Sequence, residues 1–283
     1  MMRCLSSTYR YFSFALLVLT AHGCGPIGPA DQLNPMPLVR LVLPDPGFYG
    51  LEFETVELTA TNGETLVGWF VPNENPRGTV LINPGAVFSR SWPLPQVAMF
   101  HDLGCNVFIY DYQGSGESTG TATLATVLDD ANVALDWVRN SGRPATDRIV
   151  LFGLSLGTMP CIAQAADAAP DIIGMIVEGT VQQEVVVDLG FIFMGIAPGP
   201  DAASLVPDAL DPIANAPRIS VPSLYLQSIE DGMTPFDGVV ELVDATPEPK
   251  QLAVVEGIHG LGIFQDPDYV EIVSGFMDEV LGQ

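Results

Sequence analysis

The stretch VLFGLSLGTM, Val150 to Met159, joins a short apolar run to a serine flanked two places either side by glycine, Gly153-Leu154-Ser155-Leu156-Gly157. The residues leading into it, Arg148 to Gly153, have the length and composition of a strand buried on both faces, and a helical pattern from Leu156 to about Ala168 follows. A serine on such a strand-to-helix turn stands clear of both elements. Side chains in place of the two glycines would collide with the neighbouring strand and helix. In this context Ser155 reads as an exposed nucleophile rather than as a small residue in a tight turn.

Outward from this stretch the chain alternates. Glu52–Ala60 and Glu64–Val71 flank Thr61-Asn62-Gly63 and predict a hairpin. Gly78–Ile82, Asn106–Tyr110, Ile172–Val177, Ser223–Gln227 and Gln251–Val255 read as further strands. Trp92–Leu103, Leu124–Asn140, Pro235–Asp244 and Pro267–Leu281 read as helices, the last with Pro267 in its first turn, where a missing N–H has no partner to lose. Strands alternating with helices predict an α/β fold, a mainly parallel sheet of about eight strands with helices on both faces and the hairpin extending one edge. Ligands of such sheets bind beyond the carboxyl ends of the strands, so catalytic residues should come just after strands. The interval from Thr180 to Pro222 breaks the rhythm. Its apolar stretch Leu189–Ala197 follows a strand end and supports two readings, a lid segment over about 181–215 or a core helix with an irregular connection.

A serine hydroxyl is a poor nucleophile at neutral pH and needs a base. Outside the N-terminal segment discussed below, the histidines are His101 and His259. His101 comes late in a helix and before a strand, at the amino ends of the sheet, where it packs or meets solvent. His259, in Gly257-Ile258-His259-Gly260, directly follows the strand QLAVVEG and so lies at the correct end. The imidazole needs a carboxylate to fix its tautomer and stabilise its cation. The loop Ser228–Pro235 offers Asp231, preferred, and Glu230 as the alternative. The order Ser155, Asp231, His259 is the one a nucleophile elbow imposes on such a sheet. Donors for a tetrahedral oxyanion would be the backbone N–H groups of Leu156 and of Ala86, in Pro84-Gly85-Ala86 after the strand TVLIN.

Together GWFVPNENPRGTVLIN, NVFIYDYQGSGES, GLSLG, SIEDGMTP and EGIHG, spread over Glu52 to Gln283, resemble the α/β-hydrolase superfamily, nearest in style to Bem46-like and serine aminopeptidase-like hydrolases. The triad order and the apolar stretch Leu189–Ala197 point to an acyl-enzyme mechanism on a small-molecule ester or thioester with an apolar acyl group, with no cofactor. The resemblance implies that Asp111, Gly114 and Gly116 shape the loop beside the pocket. A peptidase or amidase of the same fold, and a catalytically silent ligand-binding protein, are the alternatives. Pro84 stands where relatives carry histidine. Proline fixes its own backbone and has no N–H, so what guides the oxyanion loop is a question for the structure.

The totals are consistent with an exported acidic domain. Of 283 residues 48% are apolar, enough for a large core, and 34 acidic against 10 basic residues give a formal charge of −24. Such a charge repels phosphate backbones, which excludes nucleic acid as a natural partner. The first 24 residues contain Arg3 and Arg10, no acidic residue, and the apolar run Tyr11–Thr20, which reads as an export signal over 1–23. This ten-residue run is short for a bilayer span, which needs about 20 apolar residues. Small residues before Cys24 fit cleavage there, either by signal peptidase or by bacterial lipoprotein processing that would lipidate Cys24 and anchor the chain to the cell envelope. Residues 24–46, rich in proline and glycine, then read as a tether to a domain over 47–283. Cys105 and Cys161 lack CxxC or CxxxH neighbours and are expected as buried free thiols, with no metal site.

Overall fold

The computed structural model describes residues 44–86, 89–182 and 206–282. The signal, Cys24 and nearly all of the tether lie outside the described residues. The strands are β1 (Glu54–Thr59), β2 (Thr65–Val71), β3 (Thr79–Asn83), β4 (Asn106–Tyr110), β5 (Ile149–Leu154), β6 (Ile172–Glu178), β7 (Ser223–Ser228) and β8 (Lys250–Val255). The helices are α1 (Leu94–Asp102), α2 (Leu124–Asn140), α3 (Thr158–Ala166), α4 (Pro212–Asn215), α5 (Phe236–Ala245), α6 (Gly262–Gln265) and α7 (Tyr269–Leu281).

The strands form one sheet in the order β1-β2-β4-β3-β5-β6-β7-β8. The β1–β2 hairpin runs antiparallel to itself and to β4, and all later pairings are parallel. The pattern follows from composition. Strands β3, β4, β5 and β7 are buried along their whole length, as unbroken apolar runs must be when helices cover both faces. Strand β8, at the edge, leaves Gln251 and Val254 exposed. One face carries α2, α3, α5 and the segment 206–221, with Leu81, Leu151, Met159 and Tyr225 in its core. The other carries α1, α6 and α7 around Ile82, Phe100, Phe152 and Phe276. Helix α2 buries Leu124, Val127, Ala131, Ala134, Leu135 and Val138, the three-and-four spacing of one helical stripe. Its start is fixed by a reciprocal cap in which Thr123 Oγ1 accepts from Thr126 N–H and Thr126 Oγ1 from Thr123 N–H, an arrangement worth about 1 kcal/mol.

Some element bounds differ from the sequence reading, two of them with a clear local cause. Strand β6 runs one residue further, through Glu178, because parallel pairing with Leu154 and Leu226 continues past the last apolar residue. Helix α7 begins at Tyr269 with Asp268 at its N-cap, so Pro267 precedes the helix instead of sitting in its first turn. The reason is Asp266, whose carboxylate accepts the N–H groups of Asp268 and Glu256, both at 2.7 Å, and holds a separate turn between α6 and α7. Val206 and Leu210, at the described end of the interval 181–215, are buried in the helix layer that includes α3. The apolar stretch 189–197 lies outside the described residues.

Candidate active site

Ser155 follows β5 with φ +51°, in the left-handed region that a non-glycine residue occupies at a cost of roughly 1–3 kcal/mol. The neighbouring glycines make that turn possible. A Cβ on Gly153 would lie 2.6 Å from the Gly157 carbonyl oxygen and 2.7 Å from Cys161 Cβ, and one on Gly157 would overlap the Asn83 carbonyl. The turn is closed by Thr158, whose hydroxyl donates to the Ser155 carbonyl at 2.7 Å. The loop after β3 passes close by, since a Cβ on Gly85 would sit 3.3 Å from Ser155 Cβ. Ala86 follows this approach, and Leu156 opens the helical turn after the serine.

The loops after β7 and β8 bring the other two residues to the same place. His259 Nε2 lies 2.7 Å from Ser155 Oγ, and His259 Nδ1 lies 2.8 Å from Asp231 Oδ2. Glu230, the alternative carboxylate, is exposed, whereas the Asp231 side chain is 2% exposed. His101 is on α1, with Nε2 3.2 Å from the Pro72 carbonyl oxygen. Asp231 is unusually well supplied with donors. Its Oδ1 accepts the backbone N–H groups of Met233 and Thr234 at 2.8 and 2.9 Å, and its Oδ2 accepts the Thr234 hydroxyl at 2.6 Å and the Gln227 amide at 3.3 Å. Burial pushes this carboxyl up, but hydrogen bonding to His259, the imidazole's charge and the Thr234 contacts outweigh burial and hold it below the usual aspartate value. The arrangement can take a proton from Ser155 on Nε2 while an ionised carboxylate steadies Nδ1–H.

The chain is similar to several known proteins. Residues 74–189 match the family described as "Serine aminopeptidase, S33". The uncharacterized protein YfhR of Salmonella typhimurium is 29% identical over 244 residues, 82% of this chain and 80% of that protein. Protein bem46 of Schizosaccharomyces pombe is 30% identical over 142 residues, 49% of this chain and 48% of its own. Among solved structures, the Pyrococcus furiosus esterase Pf2001 superposes with a TM-score of 0.71 at 18% identity, over 87% of this chain and 98% of that one. The chain has the α/β-hydrolase fold and is similar in sequence to members of that superfamily.

Around the candidate site stand residues that motif reading passed over. Gly179, with φ +63°, follows β6 and faces the base; a Cβ there would lie 2.8 Å from His259 Cε1. Gln227 spans the site, accepting Thr180 N–H on Oε1 at 3.2 Å while its amide donates to the Thr234 carbonyl at 2.9 Å. Glu178 is buried and accepts Tyr269 Oη–H at 2.7 Å and Gly262 N–H at 3.3 Å, tying the histidine loop to β6 and α7. Burial pushes the Glu178 carboxyl above the usual glutamate value, against those hydrogen bonds and the nearby imidazole. Gln227 and Glu178 are identified by proximity in three dimensions alone. A sequence signal existed for Gly179 alone, as a glycine directly after a strand.

The loop after β4 also takes the shape its glycines require. Gly114 and Gly116 have φ of +73° and +47°, and a Cβ on Gly116 would overlap the Asp111 carboxylate. Cys105 and Cys161 are buried free thiols, Cys105 pushed up to about 11 by burial.

Proposed function

We propose that this α/β-hydrolase is an exported serine hydrolase that cleaves an ester or thioester with an apolar acyl group. The observation that carries the reading is the continuous line Ser155 Oγ, His259, Asp231, with links of 2.7 and 2.8 Å. His259 Nε2 takes the Ser155 hydroxyl proton as Oγ attacks the carbonyl carbon. The oxyanion is held by the N–H groups of Ala86 and Leu156, each donor worth about 3 kcal/mol. As the tetrahedral adduct collapses, the imidazolium gives its proton to the departing alkoxide or thiolate. Water then repeats the sequence, with His259 as base, and releases the carboxylic acid. Throughout, Asp231 keeps the imidazole in one tautomer and balances its charge. Ile229 and Ile258 are exposed apolar residues on the acid and histidine loops, in keeping with an apolar acyl chain.

A fluorophosphonate probe tests this directly. Folded wild-type protein is expected to label at Ser155, and Ser155→Ala to lose label and on the order of 10⁴ to 10⁶ in kcat. Absence of labelling on folded wild-type protein sinks the reading, and ligand binding that persists without turnover in Ser155→Ala would point to a silent binding protein. The likeness of residues 74–189 to a serine aminopeptidase family favours a second reading, cleavage of an aminoacyl amide by the same steps. Rates on esters of graded chain length against aminoacyl amides separate the two. Export rests on the N-terminal sequence through Cys24, and lipidation of Cys24 is part of the proposal. Fatty-acid labelling that persists in Cys24→Ser would overturn it.

A further inference from the structure

Pro84 leaves the loop after β3 without the anchor that an N–H at this position could provide. Both described ends of that loop are instead held by the last residue of β4 and the one after it. At the near end, Tyr110 Oη donates to Asn83 Oδ1 at 2.8 Å, Asn83 Nδ2 donates to Gln164 Oε1 at 2.9 Å, and Gln164 Nε2 donates to the Ala131 carbonyl at 2.8 Å. These side chains are buried, and Asn83 lies against Gly157 of the serine turn. At the far end, Arg90 N–H donates to Asp111 Oδ1 at 2.6 Å, and the Arg90 guanidinium pairs with Asp111 Oδ2 and with Glu117. The Arg90 side chain is 4% exposed and its guanidinium carbon stacks 4.2 Å from the centre of the Trp69 ring. Asp111 is fully buried. A buried ion pair contributes little net stability, since desolvation offsets much of the attraction, but it specifies one geometry sharply.

We infer that Tyr110 and Asp111 are positioning residues for the oxyanion loop, Tyr110 setting its start through Asn83 and Asp111 setting its end through Arg90. This deepens the reading of Ala86 as an oxyanion donor and rests on it. Two neighbouring residues at the end of a buried central strand thereby fix where the Ala86 N–H stands relative to Ser155. A displacement of about 1 Å at such a donor is enough to lower turnover on the order of 100-fold without altering substrate affinity.

The test uses the full chain with Tyr110→Phe, Asp111→Asn, the double variant, and Arg90→Lys beside Arg90→Gln. Hydrogen exchange of the peptide covering residues 83–92 is expected to quicken about tenfold or more in each β4 variant, while peptides at the ends of β7 and β8 keep their rates. On p-nitrophenyl acetate kcat should fall about tenfold with KM changed less than about twofold, and affinity for a trifluoromethyl ketone should fall with kcat. The double variant should lose less than the product of the single losses, because both contacts restrain one loop. Arg90→Lys, which keeps a cation against Asp111, should retain more turnover than Arg90→Gln. Tyr110→Phe removes one oxygen and keeps the test decisive if Asp111→Asn does not fold. Lowered thermal stability with unchanged loop exchange, kcat and ketone affinity would overturn the inference. Wild-type protein without ester turnover would instead overturn the hydrolytic reading, and the exchange arm would still decide the clamp.

Discussion

Asp231 and Glu178 are two buried carboxylates that both feel the charge of His259, yet their acidities are shifted in opposite directions. Asp231 sits in a loop, where the N–H groups of Met233 and Thr234 are free to turn back onto its own carboxylate. Glu178 sits in a strand, where the ladder engages the local backbone donors and the side chain must recruit partners from α6 and α7. Glu178 lies deeper than Asp231 and also has fewer donors, and both differences push its carboxyl the other way. A carboxylate that must stay ionised beside a catalytic base is therefore better placed in a tight loop after a strand than on the strand itself.

The sharpest way to break that contrast is Asp231→Asn. The amide can no longer hold Nδ1–H in the productive tautomer, and kcat is expected to fall on the order of 10³ to 10⁴, measured by steady-state ester hydrolysis. A loss below about tenfold would mean that Glu178 can take over. Gly179, which links the two carboxylates through the ring they share, should rank second. In Gly179→Ala the new methyl would crowd His259 Cε1, and kcat should drop on the order of 100-fold with KM nearly constant.

Glu178→Gln should have the smallest effect, about fivefold in kcat, since a neutral acceptor remains for Tyr269 and Gly262. Its stability profile carries the opposite sign from that of Asp231. The folded-state pKa of Glu178 is raised, so its contribution is complete below the unfolded glutamate value of about 4.3 and is lost as pH rises through the higher folded value. The Asp231 pKa is lowered, so its contribution is present above the unfolded aspartate value of about 3.9 and is lost as pH falls through the lower folded value. Urea midpoints from pH 4 to 8 should fall less steeply with rising pH in Glu178→Gln than in wild type. An unchanged slope would remove the distinction between the two sites.

Much of the architecture could be read from periodicity. Strand β4 and helix α2 occupy the residues that the apolar patterns of NVFIY and of Leu124–Asn140 mark out. Serine, acid and histidine were legible because each follows a strand, a property of chain order alone. The surroundings of the site were not. Glu178 and Gln227 are polar groups at the ends of apolar strands, where sequence reads a boundary and the structure continues the ladder. Thr234 looks like any turn residue until its hydroxyl meets Asp231 at 2.6 Å. Pro267 misled because a single aspartate, Asp266, diverts the chain into a turn before the helix begins.

Ser155 and His259 stand 104 positions apart, and the base arrives on the loop that follows the last strand, at the rim of the sheet. A chain synthesised from its amino end thus carries Ser155 long before His259 can reach it. Under the proposed mechanism competence waits for the closing strand to dock, and hydrolysis becomes a report of completed assembly.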